Sequence, residues 1–77
     1  MQKIKNKIIK LISKCFQINI SKININTCTE DIKKWDSLGQ IRLLLLIEEN
    51  FKIKIPQEKY AKLISVKLIL DYLLKVK

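Results

Sequence analysis

The 77-residue chain has no histidine, one glycine, one proline, one arginine and two cysteines. Without histidine it lacks the commonest general base and the commonest metal ligand. A single glycine and a single proline are too few turn-formers for a sheet of many short strands, which leaves helices joined by few connections. Cys15 and Cys28 are not in a C-x-x-C spacing and have no histidine to join them, which argues against a zinc site. A disulfide between them stays open on the sequence, although the simpler reading is two small buried apolar residues of a reduced cytoplasmic protein. Long hydrophobic runs are also missing: the longest, Leu43–Ile47, falls far short of the roughly 20 residues of a membrane span. The basic start "MQKIKNKIIKLISK" faintly resembles a secretion signal, but Lys10 and Lys14 interrupt the apolar region and no small-residue cleavage site follows. The location expected is therefore cytoplasmic.

Apolar residues make up 48% of the chain and charged residues 30%, a globular rather than a disordered balance. The length fits one domain, residues 1–77, which buries only about 60% of its unfolded surface and has no room for a deep catalytic cleft. A binding or carrier role starts ahead of an enzymatic one. The formal charge of +9 raises nucleic-acid or anionic-surface binding. Its distribution tempers that reading: residues 1–35 hold eight lysines against Glu30 and Asp31, while residues 36–55 are neutral. Arg42 is the only arginine, the residue whose bidentate fork phosphate and base readers favour. Lysine and isoleucine abound alongside asparagine, as an A+T-rich genome alone would produce. Genome composition and a functional basic surface are both readings of the charge.

Ile4, Ile8, Leu11, Ile12 and Cys15 recur at helical spacing and predict an amphipathic helix over 3–16 whose stripe faces a core rather than a membrane surface. "INISKININT" alternates like a strand, but no partner or hairpin turn accompanies it. Residues 17–35 are read instead as a long ordered connection whose isoleucines cover the helices. Asp36 or Ser37 caps a second helix running to about Asn50. Pro56 opens a brief helical turn through about Lys62, and Ser65 caps a last helix with Val66, Ile69, Leu70 and Leu73 inward and Leu74 at the margin. The fold expected is all-α: a small four-helix bundle of three longer helices and one short one, with a long first loop.

The second helix carries two apolar stripes. At 100° per residue, Leu43, Leu44, Ile47 and Phe51 fall within a sector of about 100°, the width of a core face. Leu38, Ile41 and Leu45 form a second stripe, flanked by Arg42 and Glu49 on one side and Glu48 on the other. Such a strip suits partner docking; a helix buried all round, or a homodimer seam, is the alternative. Ser37 at the head of the helix has two readings, an ordinary cap or a point of covalent attachment. A phosphate ester suits a helix N-terminus, where N–H groups are unpaired and the dipole favours an anion. No base stands beside Ser37 in the sequence, so it is a poor hydrolytic nucleophile.

"DSLGQIRLLLLIEENFKIKIP", residues 36–56, resembles the attachment signature of the acyl carrier and peptidyl carrier protein family, and "SVKLILDYL", residues 65–73, resembles that family's final helix. Ile41, Leu44, Ile47, Glu48, Phe51 and Pro56 stand in register with the Asp-Ser-Leu, and the resemblance extends over essentially the whole chain. It implies a non-catalytic carrier of acyl-carrier fold, monomeric, with Ser37 bearing 4′-phosphopantetheine between Asp36 and Leu38, and with no metal site of its own. A separate phosphopantetheinyl transferase, using Mg²⁺, would add the group from coenzyme A. Its thiol would hold an acyl or aminoacyl group as a thioester, to be loaded by one enzyme and consumed by a downstream transferase or synthase in making a specialised metabolite, a surface-sugar modification or a lipid. Leu38, Ile41 and Leu45 would then be the docking strip, with Glu48 and Glu49 as charged guides toward basic partner surfaces. Lys33-Lys34-Trp35 before the Asp, and Gly39 and Arg42 where acidic residues are expected, depart from carriers of fatty-acid synthesis. They are closer to stand-alone carriers of specialised pathways (polyketide or peptide assembly, or modification of surface sugars) and to D-alanyl carriers. The competing class is a small basic helical module that binds nucleic acid or an anionic surface; on the carrier reading no nucleic acid is expected.

Overall fold

A computed structural model describes residues 2–76. Three α-helices form the frame: α1 (Gln2–Phe16), α2 (Ser37–Phe51) and α3 (Val66–Val76), with α1 packed against both of the others. Three single 3₁₀ turns punctuate the connections, at Ile20–Lys22, Thr29–Asp31 and Gln57–Lys59. The brief helix expected after Pro56 is the last of these, a three-residue turn. Beyond it the chain continues as turns to Leu63, whose N–H donates to the Lys59 carbonyl (3.1 Å).

The predicted stripes are the core. Ile8, Leu11 and Ile12 of α1, Leu43, Leu44, Ile47 and Phe51 of α2, and Val66, Ile69, Leu70 and Leu73 of α3 are all buried in one cluster. Ile4 and Cys15 pack only at its margin, while Phe16, one residue beyond the stripe, is buried and stacks on Trp35 with ring centroids 5.7 Å apart. The long connection covers the helices as expected through Ile23 and Ile32, with Ile18 and Ile25 half-buried; Ile20 and, on α3, Leu74 are exposed. The strand-like alternation ends in one antiparallel bridge, Cys28 to Ser65. There the Thr29 N–H donates to Ile64 (3.0 Å) and the Val66 N–H to Thr27 (2.9 Å), which ties the first loop to the start of α3. Ser65 caps α3, its Oγ accepting the Leu68 N–H at 3.1 Å.

Both cysteines are free thiols and half-buried rather than buried. Burial pushes the Cys15 thiol above its ordinary value, against a smaller opposing pull from the Arg42 guanidinium. The left-handed backbone positions that end α1 and α2 belong to Gln17 and Lys52, each at φ 55°. The single glycine lies elsewhere, inside α2.

Candidate functional site

The start of α2 is set by Asp36. Its extended backbone (φ −98°, ψ −164°) and its carboxylate, which accepts the Gly39 N–H at 2.9 Å, make it the N-cap. Ser37 is therefore the first helical residue, and its side chain is not needed to end the helix. Ser37 is exposed, and among the described residues its hydroxyl has no hydrogen-bond partner. The other three serines are all engaged. Ser13 Oγ donates to the Ile18 carbonyl at 2.6 Å, Ser21 Oγ to Asn19 Oδ1 at 3.0 Å, and Ser65 caps α3. The first-turn N–H groups of α2 not taken by Asp36 face the same end, with the positive pole of the helix dipole behind them.

Packing fixes that end firmly. Gly39 lies one turn into α2, where an added Cβ would collide with the Lys34 carbonyl oxygen and stand 2.8 Å from a ring carbon of Phe16. The glycine thus lets the loop before the helix lie directly on the helix. Trp35, 2% exposed, is sealed beneath by Phe16. Its indole N–H donates to Gln40 Oε1 at 2.5 Å, and the Gln40 amide donates to the carbonyls of Tyr60 (2.6 Å) and Leu63 (2.8 Å). Gln40, 7% exposed, is thereby a fully bonded polar group that fastens the start of α2 to the 57–63 segment. The sequence reading did not pick it out. The available signal was its phase: by 100° steps Gln40 falls among Leu43, Leu44, Ile47 and Phe51, a polar residue on a core stripe.

The second stripe is on the surface. Leu38 is 69% exposed, Ile41 43% and Leu45 52%, a row of three apolar side chains running down α2 from Ser37. Glu49 and Arg42 beside it are exposed. Glu48 is only half-exposed, and its carboxylate accepts the Ile55 N–H at 2.7 Å, so it also pins the connector that follows α2. A groove of about 560 Å³ opens between Ser37 and the 57–64 segment, walled by Trp35, Ile41, Tyr60 and Ile64. Among the described residues no three His, Cys, Asp or Glu side chains gather to hold a metal, and no helix is long and apolar enough to cross a membrane.

A curated protein named "Acyl carrier protein", from Buchnera aphidicola subsp. Schizaphis graminum (strain Sg), is 38% identical over 73 residues, covering 95% of this chain and 92% of the relative. The chain belongs to the acyl carrier protein family. No family model matches it. Its role is that of a carrier, on a small helical bundle.

The basic charge looks different once the side chains are placed. Among the described residues no lysine or arginine forms a salt bridge, and three of the seven acids serve backbone groups: Asp36 and Glu48 as above, and Asp31, which accepts the Cys28 N–H at 3.0 Å. One lysine has a clear structural task. Lys7 Nζ lies 3.4 Å from the Asn50 carbonyl oxygen and 5.0 Å from the centre of the Phe51 ring, at the negative end of α2.

Proposed function

We propose that the chain carries acyl or aminoacyl groups on a 4′-phosphopantetheine arm esterified to Ser37 Oγ, and passes them between enzymes of a specialised biosynthetic pathway. The observation that carries this reading is the division of labour at the head of α2. Asp36 caps the helix, so the cap explanation of Ser37 falls away, and the one serine hydroxyl without a partner among the described residues stands at the surface on a positive helix end.

The residues present fit such a group. The exposed hydroxyl can be approached by a modifying enzyme, and the free N–H groups of the first turn can hold the ester's phosphate. Asp36 keeps the turn in place and leaves a carboxylate oxygen on the side from which a transferase's metal-bound substrate would come. When attached, the arm supplies the thiol that bears the acyl group. The protein's own work is to tether the cargo, which raises its effective concentration at each enzyme that docks.

Docking falls to Leu38, Ile41 and Leu45, with Glu49 as a charged guide at the strip's edge. Glu48 contributes there only in part, since its carboxylate also holds the Ile55 N–H. The partners on this reading are a phosphopantetheinyl transferase, a loading enzyme and a downstream transferase or synthase. The neutral balance of residues 36–55, with Gly39 and Arg42 on α2, favours partners other than those of housekeeping fatty-acid synthesis.

The test is to incubate the purified chain with coenzyme A and a broad-specificity phosphopantetheinyl transferase and to weigh it intact. A single adduct, lost in Ser37→Ala, is expected. Its absence, or its persistence in the variant, refutes the attachment. Salt-dependent retention on nucleic acid by an unmodified chain would instead support a basic interaction module.

A further inference from the structure

We propose that the outward face of α1 is a docking surface for an anionic lipid bilayer, on which the carrier adsorbs without inserting. Five of the fifteen residues of α1 are lysine and none is acidic. At 100° per residue Lys3, Lys7, Lys10 and Lys14 fall within a sector of about 60°, turned away from the buried Ile8, Leu11 and Ile12. All four are exposed, and they form a straight stripe about 17 Å long. Lys7 reaches toward the Asn50 carbonyl and the Phe51 ring, whereas Lys3, Lys10 and Lys14 have no hydrogen-bond or ion-pair partner among the described residues. At the end of α1 the positive charge continues. Lys22, Lys33 and Lys34, all exposed, line a recess of about 280 Å³ together with Phe16 and Gln17, with Asp31 as the one acid at its wall. Most of the stripe does nothing for the fold. Like charges three and four residues apart weaken a helix, and Lys3 stands at the positive end of the α1 dipole with no acid in the first turn to offset it. Lys14, in the last turn, is the member that the dipole favours.

The chemistry of the face selects its partner. No large apolar side chain of α1 is exposed, so the face lacks the anchors that centre a protein interface, where lysine is depleted. For the same reason α1 has nothing to push into the acyl region of a bilayer, because its apolar residues pack in and against the core. A nucleic-acid duplex presents its phosphates on a convex cylinder, which one row of ammonium groups on a convex helix touches at few points. A lipid leaflet is a plane of negative charge and meets the whole row at once. Lysine suits such a surface as a point charge, with no need of arginine's fork. Each lysine near the leaflet strengthens binding roughly fivefold, and salt screens the attraction. Ser37, Leu38, Ile41 and Leu45 belong to α2, and adsorption through α1 uses none of them.

The experiment sediments the full chain with vesicles of about 30% phosphatidylglycerol in phosphatidylcholine at about 0.15 M salt, beside vesicles of phosphatidylcholine alone. Two triple variants are compared with the wild type. One carries Lys3→Gln, Lys10→Gln and Lys14→Gln on the stripe; the other carries Lys54→Gln, Lys62→Gln and Lys67→Gln at exposed positions elsewhere. Each loses three of the nine net positive charges, and circular dichroism checks that each is folded, glutamine being close to lysine in helix propensity. The wild type is expected to bind the anionic vesicles only, and to come off at about 1 M salt. The stripe variant is expected to bind about a hundredfold more weakly, and the other variant to stay within about fivefold of the wild type. Equal losses in the two variants overturn the proposal, since net charge alone would then explain the binding. Failure of the wild type to bind overturns it as well. So does full displacement of the bound protein by a DNA duplex at equal charge concentration, which would assign the face to nucleic acid.

Discussion

Replacing Gly39 with alanine sets two effects against each other, and the structure decides the sign. In an open helix the change should stabilise by about 1 kcal/mol, because glycine has the poorer helix propensity of the two. Here the new methyl group meets the Lys34 carbonyl, a backbone atom that cannot swing aside, as well as the Phe16 ring 2.8 Å away. Overpacking typically costs 1–3 kcal/mol, and an obstacle made of backbone puts this case near ~3. Net of propensity, Gly39→Ala should destabilise by about 2 kcal/mol, a fall in melting temperature of roughly 8–16 °C for a domain of this size. Thermal unfolding by circular dichroism, with urea titration to check that the m-value is unchanged, measures it. A variant as stable as the wild type, or more so, would refute the claim that the loop before α2 lies in contact with the helix at Gly39. The modification of Ser37 should slow as well, since the same contact positions the turn.

Asp36→Ala should lose about 1 kcal/mol with the cap, whereas Asp36→Asn should keep most of that stability; a transferase rate that falls in both would show that the carboxylate's charge matters beyond capping. Ile41→Glu should change stability by no more than about 0.5 kcal/mol, because the side chain lies at the surface outside the core, yet weaken handling by partner enzymes; a large loss of stability would make Ile41 a core residue. Lys52→Gly should stabilise by roughly 0.5–1 kcal/mol, since it relieves a left-handed backbone at the end of α2. The Cys15 thiol keeps its proton longer in the folded than in the unfolded chain, so its contribution to stability is complete below the unfolded value and disappears as pH rises above it. Alkaline unfolding of Cys15→Ala should accordingly begin at higher pH than that of the wild type, and Cys15 should alkylate more slowly than an unhindered thiol near pH 9.0.

The parts of the fold that could be read from sequence are those governed by periodicity. The core stripes of all three helices, the separation of Leu38, Ile41 and Leu45 from Leu43, Leu44 and Ile47, and the cap at Ser65 follow from 100° steps and short-range hydrogen bonding. What escaped depends on contacts between segments distant in the chain. Trp35 reads as a marker of lineage until Phe16, nineteen positions earlier, is seen stacked on it. Gly39 reads as a missing acid until the Lys34 carbonyl is placed against it. Glu48 reads as a surface guide, and its tie to Ile55 shows only when the connector folds back. Gln40 was visible as a polar residue in a core phase, but its partners are two backbone carbonyls, which no side-chain pattern announces. The choice between Asp36 and Ser37 as cap was open for a similar reason, since both residue types cap well and only the backbone angles decide.

The central claim is that Ser37, relieved of capping by Asp36, is the point at which the carrier's arm is attached. Trypsin should release Trp35–Arg42 as one peptide with Ser37 as its single hydroxyl side chain, while Ser13, Ser21 and Ser65 fall in other peptides. Mapping the phosphopantetheine adduct by mass spectrometry after transferase treatment should place all of it in Trp35–Arg42. An adduct in any of the other serine peptides, or none at all, would contradict the account.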